Sequence, residues 1–308
     1  MKMLRYTHAM SLLLCFLCFH LYSYPPLPYE ELFIPHPDNI EQETHSELAL
    51  GCVFRNEASW LKEWIEYHLL IGVEHFYLYN NCSTDNCLEV LTPYIKNGTV
   101  ELFDFPKTNW TNLDQNYMYN HTLALAQPTT KWLAIIDTDE FINPHTSIDL
   151  KDYLKNHKNA ASIYIKWQMF GTSGVVNLEP GQLMIEELVF RAPDGDQVGE
   201  AWGKSIYQTK LTTSIDSPHR GSHPRGTYIH HPSTNEIKVN HYTFRTEEFL
   251  YKVKLARLKI MAGGHIFGSS AAILKYLPLA NTTRDDTIAR YIEPLRKRCF
   301  ELDSSYED

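Results

Sequence analysis

The chain has 308 residues, of which 44% are hydrophobic and 21% charged, and its formal net charge is −9. That is ordinary globular composition, which excludes a wholly disordered chain or a coiled coil, and the length is enough to bury a sizeable core. The acidic balance excludes general binding to nucleic acid, which needs a basic surface, and a polybasic membrane-surface role.

At the amino terminus, Lys2, Arg5 and His8 precede an apolar run over residues 9–19. A basic segment before a short apolar run reads as a secretory signal peptide, and the run is shorter than the roughly 20 residues a spanning helix needs. Leu21 and Tyr22 extend it and Ser23 is a poor cleavage point, so residues 1–23 read as a signal peptide or a signal-anchor. Either implies the secretory pathway or a membrane-associated location: a Golgi-type lumen in a eukaryote, export or membrane anchoring in a bacterium. Two of the six cysteines, Cys15 and Cys18, fall in this leader. Of the others, Cys82 and Cys87 are close enough for a small disulfide loop or are two free thiols. Glycosylation triplets begin at Asn81, Asn97, Asn109, Asn120 and Asn281, which fits a secretory lumen.

Residues 24–46 are rich in Pro, Glu and His without clean periodicity and read as a linker or stem. The folded domain is expected over 47–308. Residues 48–54 form an apolar run typical of a buried strand. Trp60, Leu61, Trp64, Ile65, His68 and Leu69 recur at helical spacing, and Gly72 ends that helix. A second strand is expected over 73–79, a helix through Leu88, Leu91 and Ile95, a third strand over 100–105, a helix over 113–126 and a fourth strand over 132–136. Strands alternating with helices predict an α/β fold with a mostly parallel central sheet. From Tyr164 to about Tyr242 shorter strands and Gly-rich turns follow, then helical stretches near 247–261 and 285–299.

In parallel sheets, ligands bind at the carboxyl ends of the strands. Four polar stretches fall there: Arg55-Asn56-Glu57, Asn80 to Asp85, Asp114-Gln115-Asn116, and Asp137-Thr138-Asp139-Glu140. The last is the most specific. Two carboxylates one residue apart at the tip of a buried strand are costly to assemble without a cation. Hard oxygen ligands suit Mn²⁺ or Mg²⁺ held jointly with substrate phosphates, and such a cation neutralises a departing diphosphate. A strand-end turn or helix cap uses the same residue type.

Phe54-Arg55-Asn56-Glu57, Trp60 to His68, Gly72 to Asp85, Gln115, Ile136 to Phe141 and Asn240-His241-Tyr242 occur in one order. Together they resemble the GT-A-fold glycosyltransferases, in particular the family 2-like and family 92 group, over residues 48 to about 255. The resemblance implies a Rossmann-like nucleotide-sugar-binding fold and transfer of a sugar, expected to be inverting, from a nucleoside-diphosphate donor to a glycan or other hydroxyl acceptor. It implies a UDP-sugar as favoured donor. Arg55, Glu57, Asn81, Gln115 and Asp137 would bind the nucleotide sugar, with Asn81 standing where relatives often place Asp. Asp137, Asp139 and His241 would hold the metal. Asp85 reads as a helix N-cap.

Inverting transfer needs a general base, and the acceptor-side segment offers Glu186, Asp194, Asp196 and Glu200. Lys204 and Arg191 could contact phosphate, but a solvated face is the better reading for each. Trp167 or Phe170 could stack on a sugar ring or serve the core. His219, His223, His230 and His231 follow no zinc spacing. A haloacid-dehalogenase-like phosphatase is disfavoured because three βα units precede the D-x-D. The other reading is a non-catalytic carbohydrate-binding or interaction protein on a transferase scaffold.

Overall fold

The computed structural model describes residues 34–39, 46–106, 111–147, 149–196, 199–260 and 270–301. The leader reading over 1–23 lies outside these residues, as does most of the stem. What is described of the stem is not structureless: β1 (Ile34–Pro35) and the neighbouring His36 and Asn39 join the edge of the main sheet. Backbone pairing at a sheet edge needs no side-chain periodicity, which is why the sequence pattern does not announce it.

Four strands, β2 (Ser46–Phe54), β3 (His75–Asn80), β4 (Val100–Asp104) and β5 (Thr130–Ile135), carry helices between them: α1 (Ala58–Leu70), α2 (Cys87–Lys96) and α3 (Asn112–Ala126). They lie in the order β4-β3-β2-β5, all parallel, with β1 antiparallel on the outside of β4. Their apolar runs are continuous because both faces are covered. Leu48, Leu50 and Cys52 of β2 pack on one face with Leu61, Trp64 and Ile65 of α1 and Leu91 of α2. Ala49 of β2 and Leu133 of β5 face Met118, Tyr119 and Leu123 of α3 on the other. Each large apolar side chain buried this way contributes roughly 1.5–3 kcal/mol. Gly51 lets α3 approach closely: a Cβ there would meet Thr122 Cγ2 at 2.8 Å and Ile135 Cδ1 at 2.7 Å.

The chain continues through β6 (Glu140–Pro144), α4 (Leu150–Asn156), β7 (Ser162–Met169), α5 (Met184–Glu187), β8 (Phe190–Arg191), β9 (Gly203–Gln208), β10 (Ser214–Ser217), β11 (Arg220–Ser222), β12 (Ile229–His230) and β13 (Ile237–His241). These extend the sheet as β5-β9-β7-β13-β6, with β12 on β7; β9 is antiparallel to both its neighbours, and β13 is parallel to β7 but antiparallel to β6. The α/β class and the mostly parallel sheet are as expected, with a wholly parallel amino-terminal set of strands, β4-β3-β2-β5, joined to a mixed set. The first expected carboxyl-terminal helix runs as α6 (Glu247–Phe249), a π-helical segment Leu250–Lys254, and α7 (Leu255–Ile260). Next come α8 (Ser270–Tyr276), β14 (Thr283–Arg284), which pairs with β8, and α9 (Ile292–Arg296). Among the described residues no helix is long and apolar enough to cross a membrane.

Candidate active site

From β2 the chain steps outward to β3 and β4, then returns to place β5 on the other side of β2. The carboxyl ends of β2 and β5 therefore flank a topological switch point, where open α/β sheets form their crevice. The two loops there are residues 55–57 and 136–139.

The first loop is fastened to its neighbour. Asn56 adopts a left-handed conformation at φ 54°. Its backbone N–H donates to Ser83 Oγ at 3.0 Å, and its Oδ1 accepts from Thr84 N–H at 2.7 Å. Asp85 is not the N-cap of α2, a position held by Asn86; it lies one residue earlier, where Oδ1 accepts from Cys87 N–H at 3.4 Å, and its Oδ2 accepts from Ala58 N–H of α1 at 2.8 Å. Without Asp85 the first amide of α1 would lack its partner.

Glu57 is 5% exposed and gathers three groups. It pairs with Arg245 and with Arg257 Nη1 at 3.0 Å, and it accepts the Thr138 hydroxyl at 3.2 Å. Arg245 Nη2 in turn donates to Thr138 Oγ1 at 3.1 Å. Glu57 thus couples both switch-point loops to the carboxyl-terminal helices. Arg245 is 2% exposed, left-handed at φ 51°, and its guanidinium lies 4.8 Å from the Trp60 ring and 4.6 Å from Phe249.

The two aspartates of the second loop occupy different surroundings. Asp137 Oδ2 pairs with Lys204 Nζ at 2.7 Å, and the same ammonium lies 3.3 Å from Glu140 Oε2. Glu140 folds back to accept the Asp137 N–H at 2.8 Å. Burial pushes the Glu140 carboxyl up to about 7, against the opposing pull of Lys204. Burial alone would lower Lys204, but Asp137 and Glu140 outweigh it and hold the ammonium well above its ordinary value.

Asp139 faces the end of β13 instead. Its backbone carbonyl accepts from Tyr242 N–H at 2.7 Å. Its Oδ1 lies 3.5 Å from His241 Nε2 and its Oδ2 lies 4.0 Å from Lys254 Nζ. Burial would raise this carboxyl, yet His241, Lys254 and Arg245 hold it well below the usual carboxylate range. A carboxylate oxygen and an imidazole nitrogen facing one another are a donor set suited to Mn²⁺ or Mg²⁺. Asp137, by contrast, already has a cation partner in Lys204.

An aromatic wall adjoins these groups. Trp167 is half-buried, its ring centroid 4.5 Å from His241 and 5.3 Å from His219, and Trp202 lies 4.9 Å from His219. Phe170 is fully buried against Tyr242 and serves the core.

The structure thus brings Glu57, Asp137, Asp139 and His241 together. Arg55 is exposed on the loop after β2, Asn81 is buried behind it with its N–H donating to Phe54 O, and Gln115 is half-buried in the first turn of α3. The neighbouring Asp114 completes a capping box with Thr111. Of the four base candidates, Glu186 pairs with Arg296 at 2.5 Å, and Asp194 is an exposed partner of Arg191 at 3.0 Å. Glu200 accepts from Gly195 N–H at 2.7 Å. Asp196 is 7% exposed and accepts from the Gly199 N–H at 2.8 Å and from the Tyr276 hydroxyl. A Cβ on Gly199 would meet both Met169 and Asp196, which places this carboxylate by the end of β7, where Met169 pairs with His241. Lys204 and Arg191 are not on a solvated face: they are 2% and 8% exposed, and Arg191 is buried with Asp285 at 2.6 Å. Among the described cysteines, Cys82 and Cys87 are free thiols. Arg245, Arg257 and Lys254 carry no motif of their own, because each meets Glu57 or Asp139 across more than a hundred residues of chain.

The model of glycosyltransferase family 92 matches residues 50–261. A family 92 protein of Ricinus communis is 30% identical over 146 residues, covering 46% of this chain and 26% of that protein. One from Arabidopsis thaliana is 27% identical over 231 residues, covering 68% of this chain and 37% of that protein. The chain thus spans well under half the length of these curated relatives. Among solved structures, Staphylococcus aureus TarS (residues 1–349) is 14% identical, with 85% of this chain and 76% of that one covered and a TM-score of 0.39. The mannosyltransferase PcManGT of Pyrobaculum calidifontis, in complex with GDP-Man and Mn²⁺, is 11% identical with 98% and 84% covered and a TM-score of 0.39. With the family model spanning residues 50–261, more than half of its length, the chain belongs to glycosyltransferase family 92.

Proposed function

We propose that this chain is a divalent-cation-dependent, inverting glycosyltransferase that uses a nucleoside-diphosphate sugar, a UDP-sugar by preference, and delivers the sugar to a glycan or other hydroxyl acceptor. The observation that carries the reading is the Asp139–His241 pair, 3.5 Å apart at the switch-point crevice of a family 92 chain. Asp139 and His241 would hold Mn²⁺ or Mg²⁺, which when bound supplies Lewis-acid neutralisation of the diphosphate leaving group. Lys204 fixes Asp137 in place for the donor ribose and adds positive charge near the phosphates. Glu57 keeps Thr138, and so the whole second loop, in register with the first. Arg55, Asn81 and Gln115 border the nucleotide. The Trp167 ring offers an apolar face to a sugar. Asp196 is the base candidate its placement favours, since it is buried at the end of β7 on the acceptor side. The location proposed is the secretory pathway or a membrane, from the sequence of residues 1–23.

The test is donor hydrolysis and transfer against a panel of UDP- and GDP-sugars, with Mn²⁺, Mg²⁺ or EDTA and with Asp139→Ala as control. Metal-dependent release of nucleoside diphosphate that the variant abolishes supports the reading. Neither turnover nor metal-dependent nucleotide binding by the wild type would leave a non-catalytic carbohydrate-binding protein.

A further inference from the structure

Four histidines crowd the segment after β9, and one of them stacks on a histidine from α4's carboxyl end. His157, at the carboxyl end of α4, and His230, on the edge strand β12, have rings stacked with centroids 4.0 Å apart at 19°. Glu236, in the turn before β13, completes the group: one ligand-capable atom from each of the three lies within 4.8 Å of the others. All three side chains are half-buried, open enough for an ion to enter. Their outer contacts hold them in place. Glu236 Oε1 accepts from the Ser233 N–H at 3.2 Å and the Ser233 hydroxyl at 3.0 Å. The Tyr153 hydroxyl lies 3.4 Å from His230 Nε2. Supporting bonds of this kind are what orient metal ligands.

We infer that His157, His230 and Glu236 form a second metal site, for Zn²⁺ or a similar borderline dication, distinct from the proposed catalytic one. Two imidazoles and one carboxylate suit Zn²⁺, with water in the fourth position. Ligands roughly 2.0–2.2 Å from one ion lie within about 4.4 Å of each other, and one atom from each of these three side chains already lies within 4.8 Å of the others. The site is separate from Asp139 and His241. Glu236 precedes the amino end of β13 and His241 ends it, and five residues of strand span about 16 Å. A bound ion would tie α4, β12 and the entry to β13 together, steadying from behind the strand that presents His241.

The experiment is Zn²⁺ competition with a chromophoric chelator on the full chain: wild type, Asp139→Ala, His157→Asn, His230→Asn and Glu236→Gln, with folding checked by circular dichroism. The expected result is tight binding of Zn²⁺ that Asp139→Ala retains and that each of the other three weakens at least about tenfold. Should the histidine variants misfold, Co²⁺ added to Asp139→Ala must give the intense visible bands of a four-coordinate site. Zn²⁺ binding lost only in Asp139→Ala, unchanged in folded His157 and His230 variants, or absent from the wild type would overturn the inference, as would the absence of those Co²⁺ bands. Because Asp139→Ala is inactive under the proposed function, loss of that function and loss of this site read out separately.

Discussion

Removing the Glu57 side chain is the most informative perturbation of the site's framework. Glu57→Ala strips Arg245 of its carboxylate where the two side chains are only 6% and 2% exposed. Breaking one partner of a buried ion pair costs about 3–5 kcal/mol, mostly from the charge left behind. Arg257, 38% exposed, adds little beyond that. Losing the acceptor for the Thr138 hydroxyl falls within the same range. Arg245→Met keeps a long stem against Trp60 and Phe249 and removes the stranded charge, so the double variant Glu57→Ala/Arg245→Met is expected to be less destabilised than the sum of the singles by about 2 kcal/mol. Urea unfolding of the four proteins, with m compared before midpoints are, gives the cycle. A Glu57→Ala cost under about 1 kcal/mol, or strict additivity, would refute the claim that a buried Glu57–Arg245 pair joins the two loops.

Three further outcomes follow from the geometry. His68 is fully buried, and burial lowers its ring from 6.5 to about 3, against the opposing bond to Trp64 O. A lowered histidine protonates first in the unfolded chain, so its contribution is intact above pH 6.5 and is lost as pH falls toward 3; by pH 5 the loss is about 2 kcal/mol. The difference in unfolding free energy between wild type and His68→Phe should narrow by that amount from pH 6.5 to 5, and a constant difference would contradict the assignment. Gly51→Val should cost about 1–3 kcal/mol in chemical denaturation by wedging α3 off β2; a neutral variant would mean that helix yields freely. Lys204→Met should lower the melting temperature most above pH 7, with the deficit shrinking as pH falls through about 7 and Glu140 takes up its proton. A pH-independent deficit would point to lost packing alone.

The parallel half was legible in the sequence because its strands are buried on both faces and its helices keep a 3.6-residue stripe. The ends of β2, β3, β4 and β5 fell within about two residues of the structure. Asp137 and Asp139 could be placed because they directly follow an unbroken apolar strand. Their different environments could not, since Lys204 and His241 arrive 67 and 102 residues later by sheet pairing. Lys204 sits in Gly203-Lys204-Ser205-Ile206, whose pattern does not say that the ammonium points inward. Arg245 is also hidden, because nothing in Phe244-Arg245-Thr246 announces a left-handed arginine. The local excess of histidines drew notice, but the residue that meets His230 is His157, outside that run. Short elements such as α4, α5 and β12 are too brief for periodicity, and tertiary pairing decides them.

In the proposed reaction, Asp139 and His241 together hold a divalent cation against a nucleoside diphosphate. Calorimetric titration of UDP and GDP into the chain, with Mn²⁺ or with EDTA, tests it in wild type, Asp139→Ala and His241→Ala. The expected result is binding that needs Mn²⁺ and weakens at least about a hundredfold in either variant. Binding that ignores EDTA, or that survives unchanged in Asp139→Ala, would contradict it.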